Sequence, residues 1–258
     1  MANQMDFLNL IEIETTIKPF HLFSTSHILT IITILSYIIV TTIFLKKDKF
    51  SKYRKKYRYF LFAVIVIEEI MFKLWRLLIE QTPLSANLSL DLCGITIIFL
   101  AIMLINKSEK IFEITYFWGL AGATQAILTP DMGQYGFPHF RFLQFFLSHG
   151  LILAVIVYFL IVERFKLRKG SIKRAFLITN AYAAIIGVVN YLLDTNYLFL
   201  ARKPSTPSIL DYLGPWPWYI LSLEVIALLS FFIVYLPFVI AGVSKTKPTR
   251  KKYKILSG

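Results

Sequence analysis

Cys93 and His149 are the pair in this sequence best suited to covalent chemistry. A thiol becomes a good nucleophile when a neighbouring imidazole takes its proton or a cation favours the thiolate. His149 is the candidate base, and Asp91 or Glu224 could orient its ring. Quieter roles are open to the same residues. A cysteine in an apolar helix packs as a small hydrophobe, and an intramembrane histidine can simply hydrogen-bond between helices. Cys93 is the one cysteine in the chain, which excludes any internal disulfide.

Other polar residues interrupt apolar stretches in a patterned way. Glu69, Lys73 and Arg76 recur at i, i+4 and i+7 and so share one helical stripe, from which Glu68 is displaced. Such a stripe forms either an internal ion-pair network or a phosphate site. Arg76, Arg141, Arg202 and Lys203 are the candidate phosphate ligands, and Gln125 or Gln144 the candidate oxyanion donor. Asn190 and Glu224 complete the candidate substrate-binding set. No P-loop, HExxH, GxSxG, CxxC or dinucleotide fingerprint occurs. The four histidines His21, His27, His139 and His149 are too dispersed to suggest a metal site, so neither a metal nor a cofactor is expected.

These side chains must be positioned by membrane helices. The 258 residues are 57% hydrophobic with 23 phenylalanines, and the mean hydropathy is +0.64. That is more apolar surface than one soluble core of this length would hide, so lipid is part of the solvent. Crossing the hydrocarbon requires about 20 consecutive apolar residues with every backbone N–H satisfied inside the segment. Seven windows qualify, at 27–45, 58–79, 87–105, 111–128, 141–163, 174–194 and 217–243. The expected fold class is therefore all-α: one domain, a bundle of seven transmembrane helices over residues 1–258.

The net charge of +13 does not point to nucleic acid, because the basic residues lie in blocks between apolar runs. The segments 46–58, 106–110 and 164–174 and the tail 244–258 hold 22 of the 28 Lys and Arg residues. By the positive-inside rule they face the cytoplasm, which puts the segment 1–26 and the N-terminus outside and the basic tail inside. Asp6, Glu12 and Glu14 against Lys18 alone leave no basic n-region for a cleaved signal peptide. Trp216 and Trp218 then stand where the last span enters the outer interface. In this frame the polar residues gather in the outer halves, and Asn180 is the main exception. Cys93 and His149 fall at a matching depth of roughly 9 to 12 Å.

Three blocks carry a family resemblance: Tyr116 to Ala123 with Gln125 and Leu128 to Asp131; Phe137 to Arg141 with Phe145 to Gly150; and Asn196-Tyr197, Arg202 to Pro204 and Leu210 to Tyr219. Over residues 18–240 the chain resembles the YwaF-like family of bacterial integral membrane proteins. That family is similar to a eukaryotic seven-span acyltransferase that moves polyunsaturated acyl chains between phospholipids with a Cys/His pair, and more distantly to androgen-induced membrane hydrolases that use Thr and His on lipid esters. The resemblance implies Cys93 as nucleophile and His149 as base. It also implies a Pro and a His shortly before the cysteine, where this chain has Leu88-Ser-Leu-Asp-Leu-Cys93 and offers Asp91 instead. The expected activity is phospholipid acyl transfer, with membrane phospholipids as partners. A transporter or ligand-binding protein using the same polar cavity is the alternative, a lipid-ester hydrolase a third, and the oligomeric state is unread.

Overall fold

A computed structural model describes residues 8–204 and 209–240 of the chain. Among them are seven helices of fifteen residues or more: α1 (Thr25–Lys46), α2 (Ser51–Leu78), α3 (Leu92–Asn106), α4 (Glu109–Leu128), α5 (Phe140–Val157), α6 (Ser171–Leu193) and α7 (Trp218–Ile240). No strand occurs among the described residues, so the class is all-α. The basic tail expected from residue 244 onward lies outside the described residues.

Local chemistry fixes the ends. Ser24 caps α1 by accepting from the His27 N–H, and Ser108 caps α4 by accepting from the Ile111 N–H, each at 3.4 Å. At the far end of α1 the Arg54 guanidinium donates to the carbonyls of Leu45 (2.8 Å) and Lys46 (3.1 Å), two of the four acceptors a helix terminus leaves open. α5 continues through a π turn, Tyr158–Val162.

Burial separates the centre from the periphery. The apolar window of α5 with its π turn is 72% buried, whereas those of α1, α6 and α7 are 11% buried. These four helices are long and apolar enough to cross a membrane. In α4, Phe112, Tyr116, Phe117 and Trp118 are almost fully buried and join Phe142, Phe146 and Ile152 of α5 in one core. Side chains such as Ile39, Val40 and Leu192 stay exposed, as expected of helices whose outer face meets lipid.

Boundaries differ from the sequence windows in two places that matter. The second window opens at residue 58, yet α2 begins at Ser51, because Lys and Arg are good helix formers and the basic run continues the same helix. The third window opens at residue 87, yet α3 begins only at Leu92. Residues Leu84–Ala86 form a 3-10 turn, and Asp91 is extended (φ −66°, ψ 156°). At fifteen residues α3 is short for a span.

One end of the bundle is closed by the N-terminal segment. Trp75 Nε1 donates to Ile11 O (2.6 Å), Phe140 N to Leu10 O (2.7 Å), Gln134 Nε2 to Ile13 O (2.8 Å) and Phe20 N to Gly133 O (3.2 Å). A Cβ at Gly136 would fall 2.1 Å from Lys18 O, so only glycine lets the strap lie this close to the α4–α5 connector.

Candidate functional site

Cys93 lies in the first turn of α3, on a segment that three side chains hold from outside. The Tyr182 hydroxyl donates to Leu90 O (2.8 Å), and the Tyr197 hydroxyl donates to Ser85 O (2.8 Å) while accepting from Leu88 N–H (3.0 Å). The Ser89 hydroxyl donates to Glu69. Cys93 itself is a free, partly buried thiol. Its Sγ is 3.7 Å from the point where a Cβ on Gly122 would stand, so it packs against the bare backbone of α4.

Gly119, one turn from Gly122, fixes the register of three helices. A Cβ there would stand 2.5 Å from Ile156 Cδ1, 2.7 Å from Ile152 Cγ2 and 3.4 Å from Thr96 Cγ2. α3 and α5 run antiparallel to α4. One turn toward the strap end therefore leads from Gly119 to Gly122, from Thr96 to Cys93, and from Ile152 to Ser148 and His149. Cys93 and His149 thus occupy the same layer on two helices that both pack against α4. No hydrogen bond joins them among the described residues.

His149 has one ring nitrogen engaged and one open. Its Nδ1 is 2.7 Å from Phe145 O. A carbonyl oxygen only accepts, so Nδ1 carries the proton and Nε2 of the neutral ring keeps a lone pair. Nε2 makes no hydrogen bond among the described residues. The other buried histidines contrast with it. His27 accepts from Phe23 N–H at Nδ1 (3.0 Å) and meets Ile127 O at Nε2 (2.8 Å). His139 accepts from Arg141 N–H at Nδ1 (3.0 Å) and meets Glu12 O at Nε2 (3.0 Å). Both are saturated staples. Burial lowers the His139 pKa, an effect opposed by its bond to Glu12 and reinforced by the Arg141 charge.

Much of the polar stripe on α2 is engaged internally. Glu69 pairs with Lys73 at 3.6 Å, as the i, i+4 spacing leads one to expect, but Arg76 turns away to Glu80 (3.1 Å) and Ala86 O (2.9 Å). Glu68, off the stripe, reaches α5: its Oε1 accepts from Gln144 Nε2 at 2.6 Å, and Arg141 donates to the Gln144 carbonyl. The Arg141 guanidinium also lies 4.8 Å from the Phe72 ring centroid and 5.3 Å from that of Phe145. Among the described residues Glu68 Oε2 is buried without a partner. The Glu68, Gln144, Arg141 chain thus leaves one acceptor open between α2 and α5.

The remaining sequence candidates separate. Asn190 is bound up in its own turn, accepting from Thr195 Oγ1 (2.9 Å) and Tyr197 N (2.8 Å) and donating to Tyr197 O (2.9 Å). Glu224 hydrogen-bonds Asn180 Nδ2 at 2.9 Å rather than joining the α2 network. Gln125 and Asp91 are exposed. Arg202 makes a 4.0 Å approach to Asp194 and stays exposed, while Lys203, half-buried, reaches Asp211 O at 3.5 Å and lies 5.7 Å from the Tyr219 ring centroid. Among the described residues no three of His, Cys, Asp and Glu converge as metal ligands.

Sequence reading missed two acids at the opposite, basic end. Glu113, 3% exposed, takes both Arg168 (2.9 and 3.3 Å) and Arg174 (2.6 and 3.1 Å). Glu163 accepts from Lys107 (2.8 Å) and the Tyr158 hydroxyl (2.6 Å). Burial pushes the Glu163 pKa up, but those two donors and the charges of Lys107 and Arg58 outweigh it and hold the carboxyl below its ordinary value. Acids flanked by basic loops were the available signal, but their basic partners come from segments more than fifty residues away.

The family described as the TMEM164 family matches the chain over residues 22–235. An uncharacterized protein of Treponema pallidum (strain Nichols) is 30% identical over 152 residues, which are 59% of this chain and 62% of that protein, so the chain spans less than two thirds of this relative's length. No solved structure matches.

Proposed function

The chain belongs to the TMEM164 family of membrane proteins, and from that premise we propose that it is a seven-span phospholipid acyltransferase or transacylase, one bundle with its N-terminus outside and its C-terminus in the cytoplasm. The observation that carries the reading is the layer containing Gly122, Cys93 and His149, in which a thiol packs on bare helix backbone at the same level as an imidazole with an open Nε2.

The chemistry that fits is a two-step transfer. His149 Nε2 takes the Cys93 proton, and the thiolate attacks the acyl carbonyl of a phospholipid. Collapse of the tetrahedral adduct expels the lysophospholipid alkoxide, which recovers the proton from the imidazolium, and leaves the acyl chain on Sγ as a thioester. An acceptor hydroxyl then gives its proton to His149, attacks the thioester and frees the thiol. Water as acceptor would make the protein a hydrolase. Arg141, Arg202 and Lys203 are the cations offered to the phosphate at this end.

A second reading, a transporter or ligand-binding protein, is favoured by one specific observation: no hydrogen bond joins Cys93 to His149 among the described residues. The two part on one experiment. Purified protein is incubated with phospholipid labelled in the acyl chain. Acyl transfer requires a hydroxylamine-sensitive adduct that is absent in Cys93→Ala and accumulates more slowly in His149→Ala. No adduct on wild type, together with wild-type behaviour of Cys93→Ser in cells, rejects the enzyme reading.

A further inference from the structure

At the basic end, far from Cys93, the α1–α2 hairpin holds a groove that the reading above does not use. Its volume is about 480 Å³, within the roughly 300–1,000 Å³ of ligand sites. Val40, Phe44 and Leu45 of α1 and Tyr57 and Phe60 of α2 form its walls, with Tyr53 and Lys56 nearer the hairpin turn. Leu45 is buried, but Val40 is 64% and Phe60 57% exposed, so the groove opens sideways, toward lipid in a membrane protein. A Phe44–Phe50 stack with centroids 3.6 Å apart braces its turn end.

Charge selects the occupant. Between residues 46 and 58 lie eight basic residues and one acid, Asp48. Arg54 is engaged by Asp48 (3.7 Å) and by the α1 carbonyls, and Arg58 is buried. The six lysines, Lys46, Lys47, Lys49, Lys52, Lys55 and Lys56, make no salt bridge among the described residues. Lys52 and Lys55 instead lie over the rings of Tyr53 (5.1 Å) and Tyr59 (6.0 Å). An apolar slot beneath uncompensated ammonium groups has the polarity of a lipid with an acyl chain and an anionic headgroup. A second copy of the hairpin would bring the same excess of positive charge against this one, and the chain's own tail, with six Lys and Arg after residue 244, carries that sign too.

We propose that this groove is a binding site for an anionic phospholipid of the adjacent leaflet, its acyl chain between α1 and α2 and its phosphate at Lys56 and Lys52. The site is independent of Cys93 and is tested without any turnover.

The full chain is purified in detergent, and retained lipid is measured by native mass spectrometry after adding phosphatidylglycerol or phosphatidylcholine. Phosphatidylglycerol is expected to be retained preferentially. Lys56→Gln and Lys52→Gln each weaken it about fivefold, the typical contribution of one basic residue near an anionic surface. Val40→Trp fills the groove from an exposed position that leaves the core intact, and it removes the preference. Equal retention of the two lipids overturns the proposal, as does undiminished phosphatidylglycerol binding in Val40→Trp. Competition by glycerol 1-phosphate as effective as that by the lipid overturns it as well, since a bare phosphate site needs no groove.

Discussion

The register that brings Cys93 and His149 into one layer rests on two glycines, and alanine at each tests it. A methyl at Gly119 must enter space held by Ile156 Cδ1 at 2.5 Å and Ile152 Cγ2 at 2.7 Å, both shorter than any ordinary carbon contact. Overpacking of this kind costs about 1–3 kcal/mol. Alanine regains about 1 kcal/mol of helix propensity over glycine, so Gly119→Ala is expected to be net destabilising by up to about 2 kcal/mol. Ile156→Val removes the nearer offending carbon and should recover part of that loss. At Gly122 the added methyl meets Cys93 Sγ at 3.7 Å, an ordinary contact. Gly122→Ala therefore keeps the propensity gain and is neutral to about 1 kcal/mol stabilising. Because Cys93 is the only thiol, its alkylation by a small maleimide reports the layer directly, and Gly122→Ala should slow it by covering one side of the sulfur. Thermal unfolding in detergent ranks the two variants, and labelling is followed by intact mass. Equal stability of the two variants would refute the close approach at Gly119. An unchanged alkylation rate in Gly122→Ala would refute the contact between α4 and the thiol.

Asn190→Ala removes three buried hydrogen bonds from the Thr195–Tyr197 turn, and with them the placement of the Tyr197 hydroxyl against Ser85 and Leu88. About 2–3 kcal/mol of stability should be lost, read as a fall in melting temperature. Glu163 supplies a pH test. Its folded pKa lies below its unfolded value, so its contribution is present above the ordinary glutamate range and disappears as pH falls through the depressed folded value. The melting-temperature gap between wild type and Glu163→Gln should thus be open at pH 7 and close under acid, and a gap independent of pH would contradict the pairing with Lys107 and Tyr158.

The helical class was legible because hydropathy acts on whole segments, and the four longest apolar helices fall where the windows put them. Pairings were far less legible. The i, i+4 rule found Glu69 with Lys73 and applies equally to Arg76 with Glu80, a pair left out because the stripe was read only as far as Arg76; the Ala86 carbonyl lies in a turn whose path no periodicity describes. Glu68 was set aside as off the stripe, yet it faces Gln144 of α5, a contact decided by how α2 and α5 rotate against each other. The strap is made largely of bonds to backbone carbonyls of Leu10, Ile11 and Ile13, and an acceptor common to every residue leaves no trace in residue type. The close approach at Gly119 is made by Ile152 and Ile156, which come from a helix some thirty residues on.

Hydrogen-bond capacity left unfilled distinguishes His149 and Glu68 from most of the bundle's buried polar groups. His27, His139, Asn190 and Glu113 lie in the same apolar bundle, and each has its donors and acceptors engaged by named partners. Satisfaction of that kind is what burial demands of a group whose only task is to hold helices together. His149 departs from it. One nitrogen is fixed by Phe145 O, which sets the tautomer, while the other is left open in the layer of a free thiol. Glu68 departs from it too, with Oε2 unpartnered at the α2–α5 seam among the described residues, as Arg58 Nε, Asn87 Oδ1 and Ser171 Oγ are elsewhere. The proposed acyl transfer would use the open His149 nitrogen to receive the thiol proton. Substitutions at Asn190 and Glu113 should therefore register first in stability, and, on the proposed reading, substitutions at His149 first in the rate of acyl-adduct formation on Cys93.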